Sequence, residues 1–169
     1  MQIRRIRIPL SCAILAAAVL LSGCEGSNLY GSARIGVTRS ESGSLVLLSF
    51  VCPDGSGVSG FRVTDSKDTE LWSATPSEAP APGVVKVDSD PSVTEPGWVT
   101  DGALTGDGST DLQFLARLDN GDVQPAIVKP SDVAVGEISV ASWSFGGRSK
   151  VSEADFISVN TQWCRQKSS

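Results

Sequence analysis

The nine residues Ser44-Leu-Val-Leu-Leu-Ser-Phe-Val-Cys52 include seven apolar ones, at odd and even positions alike, and Pro53-Asp-Gly-Ser-Gly57 closes them. A run of this length between turn residues reads as a strand buried on both faces. It is the predicted central strand of the core, with Cys52 at its end. The closing turn lacks the Gly-x-x-x-x-Gly-Lys-Ser/Thr order of a phosphate cradle, so its glycines are read as turn chemistry.

The segments around this run carry period-two patterns separated by turn residues. Ala33–Thr38 places Ala33, Ile35 and Val37 on one face, and Arg39–Gly43 turns the chain. Phe61–Asp65 and Glu70–Ala74 flank Ser66–Thr69 as a hairpin, with Trp72 expected in the core or packed at an edge. Leu112–Leu118 alternates around Leu112, Phe114, Ala116 and Leu118; an Asn-Gly turn then leads into Val123–Val128, the clearest hairpin of the chain. Five of the nine prolines fall between Thr75 and Gly97. Each removes a ladder donor, so this stretch is predicted to cross between two sheets, with Val84–Val87 as a short edge strand. It is also the most exposed candidate for a partner-binding surface. After a loop over Pro130–Gly136, Glu137–Phe145 is a further strand.

The end of the chain changes character. Ser152-Glu-Ala-Asp155 reads as a helix N-cap with acids in the first turn. Phe156, Val159 or Asn160, Trp163 and Cys164 then recur at helical spacing. A short helix is predicted, packing Phe156 and Trp163 on a sheet; the competing reading is a last strand over Ala154–Thr161. The whole pattern predicts a mainly β, sandwich-like single domain over residues 33–169. It is immunoglobulin-like at most, because Cys52 and Cys164 lie too far apart to be the two core-strand cysteines of that family.

The first 24 residues determine where such a domain works. Arg4, Arg5 and Arg7 precede an apolar run from Leu10 to Leu21, then Ser22-Gly23-Cys24. A basic start, a short apolar segment and small residues make a secretory leader, too short for a bilayer span of about 20 residues. Leu21-Ser22-Gly23-Cys24 resembles the lipobox of bacterial lipoproteins. The resemblance implies cleavage after Gly23, lipidation of Cys24 and a tether over residues 24–32. The alternative is an ordinary leader cut near a cysteine. With its closing Trp163-Cys164, the chain is also similar to small lipoproteins of Gram-positive actinobacteria, which transfers no catalytic residue.

On that reading, Cys12 leaves with the leader (residues 1–23) and Cys24 is acylated. Cys52 and Cys164 remain in an oxidising compartment that favours a bridge, against the alternative of two buried thiols. Three of the 14 basic residues and none of the 19 acids lie in the leader; 11 bases against 19 acids leave a mature charge of −8. Nucleic acid is excluded as a partner on that balance, since its recognition runs on cationic contacts to phosphate. Attachment to a membrane would rest on the acyl chains, two of which anchor stably where one does not.

Catalytic signatures are few. The chain has no histidine, which removes the histidine-based hydrolase triads and the common zinc sites. No Gly-x-Ser-x-Gly elbow or Ser-x-x-Lys motif occurs. Asp101, Asp107 and Asp111, set among glycines, are weak calcium candidates that lack the EF-hand order. No cofactor is expected. The expectation is a non-catalytic, membrane-anchored module on the extracytoplasmic face that binds another envelope component. The alternatives are an acid-residue enzyme acting on glycans and a structural spacer.

Overall fold

The computed structural model describes residues 35–93, 96–104, 108–119, 121, 123–142 and 147–167. The leader, Cys24, the tether and Asp107 lie outside the described residues. Ten strands form two five-stranded antiparallel sheets packed together. The first sheet contains β1 (Ile35–Arg39), β2 (Leu45–Val51), β5 (Gly83–Asp88), β9 (Ile138–Ser142) and β10 (Gly147–Val151), in the spatial order β10-β9-β1-β2-β5. The second contains β3 (Val58–Thr64), β4 (Glu70–Pro76), β6 (Trp98–Gly102), β7 (Leu112–Leu118) and β8 (Val123–Val128), in the order β6-β4-β3-β7-β8. A 15-residue helix, α1 (Glu153–Lys167), follows β10. The mainly β, sandwich-like architecture with a C-terminal helix is therefore the observed one.

Alternation decides which side chains fill the space between the sheets. Ile35 and Val37 of β1 and Leu45, Leu47 and Val51 of β2 point inward from the first sheet. Phe61, Val63, Trp72, Phe114 and Ala116 meet them from the second. Trp72 is buried as a core residue, and Phe61 stacks at a tilt on Trp98, ring centroids 5.5 Å apart. Each large apolar side chain removed from water here contributes about 1.5–3 kcal/mol.

The even positions of β2 face the other way. Leu48 joins Ile138, Val140 and Phe156 in a second cluster on the outer face of the first sheet, beneath α1. The continuous apolar run is thus buried on both sides, by the opposing sheet and by the helix. It lies between β1 and β5, one place from the sheet's middle. The Pro-rich stretch does cross between sheets: β4 leads to β5 at the edge of the first sheet, and β5 leads back to β6 at the edge of the second.

The helix is set by its cap and a narrow stripe. Ser152 Oγ accepts from the Asp155 backbone N–H at 3.1 Å and donates to the Asp155 carboxylate at 2.7 Å. Phe156, Asn160 and Cys164, four residues apart, are buried, while Ile157 is exposed. That spacing rules out the last-strand reading, which would bury Ile157 with Val159 and Thr161. Trp163 is only half-buried, so Phe156 carries most of the packing. Asn160 Nδ2 donates to the Phe156 carbonyl at 2.8 Å, which satisfies the one polar group in the stripe.

Gly36 explains how closely the helix approaches. A Cβ at this position would collide with Ile138 Cγ2 and sit 3.2 Å from Phe156 Cε2. Gly36→Ala should destabilise the domain by about 1–3 kcal/mol, the usual cost of overpacking. A lower midpoint in urea at unchanged m-value would report it.

Cys52, immediately after β2, is bonded to Cys164 of α1 across a sequence separation of 112. The predicted bridge is present. It ties the far end of the helix to the same end of the sandwich at which β1 begins, because Ile35 pairs with Ser49, near the end of β2, whereas Arg39 pairs with Leu45 at its start.

Candidate functional site

At the end opposite the disulfide, turns from both sheets surround a cleft of about 710 Å³. Its wall is assembled from Arg39 to Leu45, from the β3–β4 turn at Asp65 and Ser66, and from Ser89–Pro91 after β5. Ala103 and Leu104 after β6, Gly108 to Leu112 before β7, and Pro130 and Ser131 after β8 complete it. Part of the Pro-rich crossing, Ser89–Pro91, is therefore a wall of the cleft.

Arg39 braces the cleft from within. Its Nε donates to the Val133 carbonyl at 3.2 Å, Nη2 to the Pro130 carbonyl at 2.6 Å, and Nη1 to the Gly43 carbonyl. One guanidinium thus joins the end of β1, the β1–β2 turn and the short 3-10 turn Pro130–Asp132. Hydrogen bonds from a charged donor are each worth about 1.5–3 kcal/mol. Arg39 also carries positive charge to the cleft.

Carboxylates of the wall are placed by their own turns. Asp65 Oδ1 accepts from the Lys67 and Thr69 backbone N–H groups at 2.8 and 2.9 Å. This arrangement lets the turn pass through Asp68 at φ 61°, a left-handed conformation that Asp tolerates better than most residues. Asp90 Oδ1 accepts from the Ser92 hydroxyl at 2.7 Å and its N–H at 2.9 Å. The Thr69 and Lys67 amides hold the Asp65 carboxyl below the usual range, and the Ser92 hydroxyl and amide do the same for Asp90. Both carboxyls therefore hold their charge to lower pH than a free aspartate does.

Of the residues proposed as calcium ligands, the structure brings Asp111 to the cleft. Asp101 lies exposed on β6, opposite Ser73, with its Oδ1 accepting from the Gly102 N–H at 2.9 Å. Asp107 lies outside the described residues. Among the described residues no three histidine, cysteine or acidic side chains gather as a metal would require. Sequence reading missed Arg39, Asp65 and Asp90. The Asp-x-Ser order at Asp90-Pro-Ser92, together with the position of Asp65 at a strand end, signals turns rather than a shared cavity.

Comparison with protein-family models, curated proteins and solved structures finds no match to this chain. Its function is therefore argued from its own residues.

Proposed function

We propose that the chain is a lipid-anchored extracytoplasmic lipoprotein whose folded domain is a non-catalytic binding module. The observation that carries this reading is the opposition of its two ends. The first described strand begins at Ile35, beside the disulfide, and the cleft opens where β1 ends at Arg39 and β2 begins at Leu45. The strands between span roughly 20 Å. An acylated Cys24 nine residues before Ala33 would hold the disulfide end toward the membrane and turn the cleft away from it.

Three further features support the reading. The bonded Cys52–Cys164 pair suits an oxidising compartment. The apolar run from Leu10 to Leu21 is shorter than the roughly 20 residues a bilayer span takes, which suits attachment through a lipidated cysteine. The Asp65 and Asp90 carboxyls are pushed toward ionisation, the reverse of what a glycosidase's general acid needs, which favours binding over acid-catalysed glycan cleavage.

Mass spectrometry of the protein purified from a bacterial host, with its own leader, tests the anchor. The first peptide should begin at Cys24 and carry a diacylglyceryl adduct, and the protein should fractionate with membranes. Cys24→Ala should abolish the adduct and release the protein from that fraction. An unmodified Cys24, or an intact leader on the membrane-bound protein, overturns the proposal.

A further inference from the structure

We propose that the cleft receives a basic, aliphatic polypeptide segment: a short stretch of a partner protein in which Lys or Arg alternates with Leu-like side chains. This rests on reading the cleft as the binding end of the domain and names its ligand. The volume, about 710 Å³, falls within the range of specific ligand sites. Its lining joins two chemistries. Leu71, Leu104 and Leu112, each half-buried, leave part of their apolar surface at the wall. The carboxylates Asp65, Asp90 and Asp111 stand among them. A lysine or arginine fits both at once, laying its methylene stem on the leucines while its charged head reaches the carboxylates.

Charge complementarity separates this occupant from others. The cation in the described lining, Arg39, already donates to three main-chain carbonyls, so a phosphate or carboxylate ligand would meet mainly repulsion. Glu41 and Asp68, on the same turns as the wall, extend the negative field outward, offset in part by Lys67 beside Asp68, while Glu70 at the start of β4 pairs with Arg62 at 4.0 Å. The described lining contains no aromatic face on which a sugar ring or base would stack. The Gly43 N–H and carbonyl are already taken up by Ser40 and Arg39, and the Ser131 N–H donates to the Gly108 carbonyl at 3.0 Å, so recognition of the segment rests on its side chains.

The full-length protein in non-ionic detergent is titrated into four fluorescent heptapeptides that alternate Lys–Leu, Lys–Ser, Glu–Leu and Ser–Leu, read by anisotropy. The Lys–Leu peptide should bind saturably, one per chain, and at least about tenfold more tightly than the other three. Its affinity should fall as salt rises from 50 mM to 0.5 M. Ser66→Lys and Asp111→Lys, both in the wall, should each weaken it by about tenfold or more. Glu78→Lys, an equal or larger charge change at the far end beyond β4, should leave it unchanged. Thermal melting of each variant shows that it is folded.

Equal affinity for the Glu–Leu peptide, equal loss with Glu78→Lys, or no binding of Lys–Leu at millimolar concentration overturns the inference. The mass of the Cys24 peptide is read separately, so loss of this ligand leaves the anchor standing, and the reverse also holds.

Discussion

Replacing Cys52 and Cys164 together with alanine should lower the unfolding free energy by about 4–5 kcal/mol, the chain-entropy expectation for a closed loop of this length. Domains of ordinary stability have about 5–15 kcal/mol in all, so the loss is a large fraction of the total. For a chain of this size it corresponds to a fall in melting temperature of roughly 8–20 °C. The effect is large because the bond joins β2, the strand buried on both faces, to the last turns of α1. Among the described residues, five of the eight strand pairings form within the loop it closes, and the other three involve β1 or β2, which precede Cys52. Circular dichroism melts of the double variant, and of the wild type with and without a dithiol, provide the measurement. A shift below about 3 °C would mean that the denatured chain is already constrained in some other way.

The second large effect is expected from Phe156→Ala, at about 3–5 kcal/mol. Phe156 is almost completely buried against Leu48, Ile138 and Val140, and the remainder of the stripe on α1 is a hydrogen-bonded Asn160 and the bonded Cys164. Few apolar groups share the work of holding the helix, so removing this ring uncovers the outer face of the first sheet. Hydrogen exchange should show faster exchange over α1 and along β9, with β3, β4 and β7 retaining protection closer to that of the wild type. Uniform loss across both sheets would show that the two clusters unfold as one unit and would contradict this assignment of roles. Together with the substitutions at Gly36, Cys24 and the cleft, these variants separate packing, anchoring and binding.

The two-sided burial of β2 was legible in the sequence because no alternation interrupts Leu45–Val51. The β3–β4 and β7–β8 hairpins were legible because their turn residues sit between cleanly alternating runs. The edge strand at Val84–Val87 followed from what prolines forbid on either side of it. The strands β6 and β10 escaped notice: Trp98-Val-Thr-Asp-Gly102 and Gly147-Arg-Ser-Lys-Val151 are edge strands, polar enough to resemble turns. The cleft was illegible for a different reason. Its wall comes mainly from five connections far apart in the chain, and only the crossing of strands between sheets brings Asp65, Asp90 and Asp111 to the same end. Arg39 resembles any polar residue at a strand end until the carbonyls of Pro130 and Val133, more than ninety positions away, are placed beside it.

The place where the chain enters the sandwich governs its response to pulling. Ile35 opens a strand laddered to β2 on one flank and β9 on the other. Their hydrogen bonds run crosswise to the strand. A tug applied there, with a ligand gripped at the opposite end, loads those bonds in shear, all of them together. To peel the fold open one bond at a time, tension would have to arrive from the side. Under the anchoring proposed at Cys24, tension between membrane and ligand would run along these strands.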